Sequence, residues 1–314
     1  MCIAPELGKV HRGFARPDLF VCVHEQFLTE TAKQADIVLP ATMFLEHDDI
    51  YQAAAHSHIL IHKKIFEPYA ECRSNHWLVC ELAKRLGAEH PGFGMSEWEL
   101  IDDLCRRSGW PDAETIFAAG GREAMPDEST AHHRSGFPTP DGRFRFRPDW
   151  SQFGPDHARM PALPDHLAVI DAATPAKPYR LVAAPARQFL TTSFTEMPTS
   201  LKREGRPTAL VHPETMAQLG LADGDLVRLG NERGSVLVHV KARAGQHANT
   251  IVVESIWPNR YWAEGMGVNV LLGADPAPPG GGAAIHDTAV WLEAAAAQPV
   301  PAAEQPTPEL LAAE

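Results

Sequence analysis

The feature that most constrains the fold is a series of short apolar runs between residues 179 and 293. Turn-forming residues separate the runs, as in Ala222-Asp223-Gly224-Asp225. Short strands with regular turn signals are typical of an all-β sandwich or barrel. A short helix that begins at Pro213 and ends before Gly220 is expected among them. The sequence therefore predicts a β-barrel with strands at Tyr179–Ala184, Thr208–Val211, Leu226–Leu229, Ser235–Ala242 and Thr250–Val253.

Residues 18–46 predict a different kind of structure. Two apolar runs, Leu19–Val23 and Ile37–Leu39, are rich in valine and isoleucine, which indicates strands buried on both faces of a parallel sheet. Thr29 is placed to cap a brief helix, Glu30–Gln34, whose N–H groups would point out of the carboxyl end of the first strand. That arrangement suits a phosphate or a nucleotide. An ordinary βαβ connection without a ligand explains the same pattern.

Two amphipathic helices are expected next. Asn75–Leu86 carries apolar residues at helical spacing, which predicts a face packed on a core, and Gly87 follows as a C-terminal cap. Met95–Ser108 repeats this pattern, with Ser96 and Glu99 forming a capping box.

Composition divides the chain further. Proline recurs from residue 111 to 178, which predicts a connector with short elements, and residues 294–314 are rich in alanine, proline and glutamate, which predicts a disordered tail. The predicted fold class is α/β plus all-β. The predicted domains are an α/β domain at 1–110, the connector at 111–178, the barrel at 179–293 and the tail at 294–314.

Charge and cysteine content restrict the partners and the compartment. The formal net charge of −12 argues against binding to nucleic acid or to an anionic membrane. Five cysteines without a CxxC pair favour reduced thiols. No stretch is apolar enough for a signal peptide or a membrane span, so a cytoplasmic protein is expected.

The common catalytic signatures are missing from the sequence. It contains no GxGxxG, GxxxxGK[ST], HExxH or GxSxG pattern, which disfavours a self-contained Rossmann dehydrogenase, an NTPase, a zincin or an α/β-hydrolase. His56, His58 and His62 alternate, so a strand there would place three imidazoles on one face. A metal-dependent hydrolase is one interpretation of this pattern, and a solvated strand face is the other.

Separated stretches of the chain carry a family resemblance. They are, in order, TETAKQADIVLPATMFLEHDD with ECRSNHWLVCELAKRLG, then LVAAPARQFLTTSFTE, LVHPETMAQLGLADGDLVRLGNERGSVLVHV and GVNVLLGADPAPPGGGAAIHDTAVWLE. They resemble the third domain and the C-terminal dinucleotide-binding domain of molybdopterin-dependent oxidoreductases, the group of formate dehydrogenases, nitrate reductases and dimethyl sulfoxide reductases. The resemblance covers nearly all of residues 1–293. It implies a partial Rossmann-like α/β domain followed by a double-psi β-barrel.

The resemblance also implies a cofactor, bis-(molybdopterin guanine dinucleotide) with molybdenum. The positions that match the family's guanosine contacts are His24, Glu25, His47 and Asn75. The positions that match its contacts to pterin and phosphate are Ala183, Arg187, Thr191, Thr192, Tyr261, Asn269 and His286. Asn269 is the strongest candidate, because a polar amide inside an apolar run needs a hydrogen-bond partner.

The resemblance does not reach the family's iron–sulfur segment or the domain that supplies the metal ligand, so no catalytic residue and no metal ligand is assigned. The predicted function is the C-terminal cofactor-binding portion of a formate dehydrogenase- or nitrate reductase-like oxidoreductase, inactive alone. The partner would be an N-terminal-half polypeptide or an electron-transfer subunit. A non-catalytic pterin- or nucleotide-binding remnant and a split subunit are the alternatives.

Overall fold

The computed structural model describes residues 2–128, 131–168, 171–286 and 288–295. They form two compact units, one of Phe20–Arg145 and one of Met1–Leu19 with Phe146–Glu314. The predicted domain boundaries stay predictions, and nearly all of the predicted disordered tail lies outside the described residues. No helix among the described residues is long and apolar enough to cross a membrane.

The first unit combines two small sheets with three helices. Helix α1, Leu7–Phe14, precedes it in the chain and belongs to the second unit. Strands β1 and β2 pair in parallel, and β3, β4 and β5 form an antiparallel sheet. The elements of this unit are β1 (Cys22–Glu25), β2 (Ile37–Pro40), β3 (Asp49–Gln52), β4 (His58–His62), α2 (Asn75–Leu86), α3 (Glu97–Arg107), α4 (Ala113–Ala118) and β5 (Arg122–Glu123).

The parallel pair is present, but the prediction that its strands are buried on both faces is wrong. Phe20 is 68% exposed and Ile37 is 45% exposed. Two strands have too few neighbours to cover both faces of a sheet. The expected helix at Glu30–Gln34 is reduced to a single 3-10 turn, Ala32–Gln34, although the hydroxyl of Thr29 accepts a hydrogen bond from its first N–H.

The predicted helices are confirmed, with one correction to their packing. Ser74 caps α2, Gly87 ends it with a φ of 68°, and Ser96 forms the expected capping box with Glu99 at the start of α3. The apolar stripe of α2 does not pack on a core. Leu86 is 81% exposed, and the one buried residue of the helix is Ala83.

The second unit contains a closed barrel of six strands. Around the barrel, β6 is followed by β10, β7, β9, β8 and β13, and β13 pairs with β6 to close it. The predicted strands and the helix at Pro213 are confirmed, whereas β13 was not predicted. The elements are β6 (Tyr179–Pro185), α5 (Pro198–Glu204), β7 (Thr208–Val211), α6 (Pro213–Gln218), β8 (Leu226–Asn231), β9 (Gly234–Ala242), β10 (Thr250–Ser255), β11 (Pro276–Ala277), β12 (Gly282–Ala283) and β13 (Thr288–Ala294).

Gly230 is the tightest point of the barrel wall. It lies opposite Trp291 in the β8–β13 pair, and a Cβ at Gly230 would lie 2.3 Å from Cζ2 of the indole ring. We expect Gly230→Ala to lower the free energy of unfolding by about 1–3 kcal/mol, because the rigid ring must move out of its packed position. Urea unfolding measures the change.

Gly245→Ala is the matched control for this substitution. A Cβ at Gly245 meets nothing within 4 Å, and the residue lies between β9 and β10 of the same barrel. The control should therefore stay within about 0.5 kcal/mol of the wild type. Equal stability of the two variants would show that the indole ring moves aside without cost.

Candidate cofactor site

Three of the predicted guanosine contacts of the first unit, His24, Glu25 and Asn75, lie at the carboxyl end of β1. His24 lies at this end, with Nδ1 2.8 Å from the side-chain oxygen of Asn75 and Nε2 3.1 Å from the carbonyl oxygen of Arg73. A carbonyl oxygen only accepts, so Nε2 carries the proton. The side-chain oxygen of Asn75 faces the other ring nitrogen, Nδ1, so the two side chains are hydrogen-bonded to each other. His24 and Asn75 therefore hold each other at the start of α2.

His47 lies on the neighbouring loop and lines a cavity. Its Nδ1 is 2.8 Å from the hydroxyl of Thr42, and its Nε2 is 3.7 Å from the carboxylate of Asp49. The cavity has a volume of about 490 Å³, which lies within the range of roughly 300–1,000 Å³ typical of ligand pockets. It is lined by both carboxylates and cations, which suits a polar ligand with donor and acceptor edges: Glu46, His47, Asp48, Lys64, Arg73 and Glu97.

His47 is the one cavity residue that was selected from the sequence, and Ser74 and Glu97 are among those that were not. Ser74 Oγ donates a hydrogen bond to the carboxylate of Glu97, and the other oxygen of Glu97 accepts the N–H of Asp48 at 3.3 Å. Ser74 had a local signal, since it immediately precedes a predicted helix, but Glu97 lies far away in sequence. The carboxylate of Glu25, which was selected, accepts the N–H of Gln26 and is half-buried.

The alternating histidines do not converge. His58 faces Glu123 at 3.3 Å, while His62 stacks on Tyr51 with ring centroids 5.1 Å apart. Among the described residues, no three His, Cys, Asp or Glu side chains are arranged to hold a metal ion.

In the second unit, the loop after β6 presents a polar tip on a buried base. Ala186 and Phe189 are buried, whereas the predicted contacts Arg187, Thr191 and Thr192 are exposed. Thr191 has a φ of 55°, in the left-handed region that non-glycine residues rarely adopt. Strain of this kind clusters at ligand-binding sites and persists only where the surroundings enforce it.

An aromatic cluster connects this loop to the residues after β10. Trp257 contacts Phe189 on one side and Tyr261 on the other, with ring centroids 5.0 and 5.4 Å apart. Arg260 lies 4.8 Å over the ring of Tyr261 and pairs with Glu196 at 2.7 Å. Burial disfavours the charged form of Arg260, but the hydrogen bond and the charge of Glu196 outweigh it, so the guanidinium pKa is raised above its ordinary value.

Asn269 lies in a segment, residues 267–272, that the rest of the unit holds firmly. Leu272 O accepts the N–H of Glu6 at 2.8 Å, and Leu271 O accepts from the side chain of Asn231 at 2.9 Å. Gly267 N–H donates to the side chain of Asn259 at 3.1 Å.

The amide of Asn269 is the exception in this segment. The residue is 7% exposed, and its side chain makes no hydrogen bond with any other described residue. Its polar atoms are not among the fully buried atoms that lack a partner, so they reach solvent and are available to a group outside the chain. An amide donates and accepts at once, which matches the mixed edge of a pterin.

The remaining predicted contacts differ in their exposure. Tyr261 is buried, Ala183 is half-buried in β6, and His286 is exposed. Asn259 was not selected from the sequence, although it has the same signal as Asn269, an amide placed among aromatic and apolar residues.

Two family models match the chain. Residues 179–289 match the Molydopterin dinucleotide binding domain, and residues 2–85 match the molybdopterin oxidoreductase model. The first match covers the barrel from β6 to the beginning of β13 and includes Asn269, and the second includes His24 of β1 and Asn75 of α2.

Curated relatives and a solved structure agree with these matches. The chain is 30% identical to a probable oxidoreductase, YoaE, of Bacillus subtilis, over 93% of the chain and 42% of the relative. It is 32% identical to a dimethyl sulfoxide/trimethylamine N-oxide reductase of Rhodobacter capsulatus, over 74% of the chain and 32% of that protein. Acetylene hydratase from Pelobacter acetylenicus superposes with a TM-score of 0.76 at 20% identity, over 93% of the chain and 42% of the hydratase, a likeness of fold.

Proposed function

The chain belongs to the molybdopterin oxidoreductase family, and we propose that it binds a molybdopterin guanine dinucleotide cofactor of the bis type with molybdenum. The barrel unit takes the pterin and its phosphates, and the strand-end residues of the first unit take the guanosine. The chain spans about two fifths of the length of YoaE and about one third of that of the Rhodobacter reductase, so the activity of a whole enzyme is part of the proposal.

One observation carries the pterin assignment, namely the unpartnered amide of Asn269 in a segment whose backbone is held from three sides. A group held rigidly before the ligand arrives loses little entropy on binding. The exposed loop at Arg187, Thr191 and Thr192 would add a guanidinium and two hydroxyls for phosphate oxygens.

The guanosine assignment rests on the cavity beside His47. Glu46 lines this cavity and Glu25 lies at the end of β1, and both carboxylates can accept from the N1–H and amino group of guanine or from ribose hydroxyls. His24 and Asn75 are bonded to each other, so a nucleotide would exchange one of these hydrogen bonds for its own.

The bound cofactor would supply two-electron redox chemistry, and the chain supplies position and electrostatics. A formate dehydrogenase- or nitrate reductase-like reaction remains the proposal for the complete enzyme, with any iron–sulfur cluster in a part that this chain does not match. The proposed fold details are a double-psi barrel and a partial Rossmann-like domain.

We further propose that a second polypeptide covers the exposed apolar surface of the first unit. Ile37 and Val38 on β2 and Leu82 and Leu86 on α2 are exposed. Exposed apolar side chains that form a patch often mark a protein interface. An N-terminal-half polypeptide or an electron-transfer subunit would then complete the oxidoreductase, and the chain alone would have no turnover.

The cofactor proposal is tested by purifying the chain from a host that makes the cofactor. We expect pterin fluorescence after acid oxidation, guanosine monophosphate after hydrolysis in equal amount, and molybdenum at half the pterin content. The proposal would be refuted if the purified chain contained neither pterin nor nucleotide and also took up neither from a heat-denatured molybdoenzyme.

Co-expression with polypeptides encoded beside this chain distinguishes the alternatives. A complex with molybdenum and redox turnover identifies a split subunit. Bound pterin without turnover in any complex identifies a non-catalytic remnant.

A further inference from the structure

Asn259 is a buried polar residue between α1 and the segment that carries Asn269. Its side-chain oxygen accepts the N–H of Gly267 at 3.1 Å, and its nitrogen lies 3.3 Å from Nε2 of His11. A backbone N–H only donates, which fixes the orientation of the amide, so the Asn259 nitrogen must donate to His11. His11 is therefore the neutral tautomer with its proton on Nδ1.

Helix α1 holds both ends of the Asn269 segment. At the Leu272 end, the N–H of Glu6 donates to the carbonyl oxygen. At the Gly267 end, the connection runs through Asn259 to His11. The position of the Asn269 amide thus depends on a helix that is distant in sequence.

We propose that Asn259 is a positioning residue for the cofactor-binding amide of Asn269, and that neutral His11 holds Asn259 in place. The inference rests on the proposed function of Asn269. When Nε2 of His11 takes up a proton it becomes a donor that faces the donor nitrogen of Asn259. The hydrogen bond is then lost, and the Gly267 end of the segment is released.

The surroundings of His11 favour the neutral ring. Glu6, which precedes α1, is paired with Lys9 on the helix, and Arg12 adds positive charge. The turn of Asn259 contributes Arg260, which pairs with Glu196, and Val268–Leu271 contributes no titratable side chain. Burial lowers the pKa of His11 below its ordinary value of 6.5.

The sign of the pH effect follows from this direction. Because the pKa of His11 is lower in the folded chain, the unfolded chain binds more protons as the pH falls below 6.5. The stabilisation of the segment is therefore complete above pH 6.5 and decreases as the pH falls towards the pKa of the folded state.

Hydrogen–deuterium exchange of the full chain tests the inference without cofactor. Between pH 7.5 and 5.5, after correction for the intrinsic rates, we expect protection of residues 267–272 to fall roughly 3- to 10-fold, the equivalent of one hydrogen bond. In His11→Gln the side-chain oxygen accepts from Asn259 at every pH, so protection should be high and independent of pH. In His11→Leu the protection of residues 267–272 should be low at both pH values.

Peptides from β9 are the internal control, and their protection should not change. Equal pH dependence in the wild type and His11→Gln, or equal loss in β9 and in residues 267–272, would overturn the inference. Uptake of molybdopterin from a heat-denatured molybdoenzyme should follow the protection of residues 267–272, so it should be high in His11→Gln and low in His11→Leu. If the wild type takes up none at any pH, the proposed function fails, while the exchange data still decide the role of His11 and Asn259.

Discussion

Replacing Trp257 by alanine is expected to lower the free energy of unfolding of the barrel unit by about 3–5 kcal/mol, in the range of other buried Trp-to-Ala changes. Trp257 is 2% exposed and packs edge to face against both Phe189 and Tyr261. The substitution leaves a cavity where the loop after β6 meets the turn after β10. Chemical denaturation monitored by circular dichroism measures the loss.

Trp257→Phe separates packing from general disruption. A phenyl ring keeps part of the aromatic contact, so Trp257→Phe should lose less than half as much stability as Trp257→Ala. The exposed Trp77 of α2 provides the control, since Trp77→Ala should change stability by about 0.5 kcal/mol or less. A cost for Trp257→Ala no greater than that of Trp77→Ala would mean that the two loops are held by other contacts.

Asn269→Leu is expected to lower cofactor retention about 10- to 100-fold. This is the effect expected when two or three hydrogen bonds to the cofactor are lost. The same change should leave the unfolding free energy of the cofactor-free chain nearly unaltered, because the amide has no partner in the described residues. Pterin content and equilibrium unfolding are measured on the same preparations.

Asn231, the last residue of β8, provides a matched comparison because it contacts the same segment. It is equally buried, but its amide donates to Leu271 O and accepts the N–H of Arg233. Asn231→Leu should therefore cost about 1–3 kcal/mol even without cofactor, because two buried polar groups lose their partners. Equal destabilisation by the two Asn→Leu changes would show that Asn269 is structural and would remove its assignment to the pterin.

The barrel was predictable because its signals are local. Strand positions depend on alternation and turn chemistry, and β7 has its predicted bounds, Thr208–Val211. The closing strand β13 was missed, since its run Thr288–Ala294 leads without a turn signal into an alanine-rich segment. Burial on both faces of β1 and β2 was wrong because burial depends on neighbouring strands, which a local pattern does not specify.

The site was predictable one residue at a time but not as a network. The amide of Asn269 stood out because its neighbours are apolar. The roles of Asn259, His11 and Glu97 depend on contacts between distant parts of the chain, such as the 248 positions that separate His11 from Asn259. No local pattern contains such a contact, so only the folded chain shows it.

The strand order of the barrel also determines when the cofactor can bind. Neighbouring strands such as β6 and β10, or β8 and β13, are far apart in sequence, and long-range pairings of this kind form slowly because large loops must close first. The segment with Asn269 is held by contacts with α1, the β8–β9 turn and the Asn259 turn. We therefore expect it to take its final shape only after all three have folded against it. We therefore expect the cofactor to be inserted into a folded chain during biosynthesis, rather than to act as a nucleus for folding.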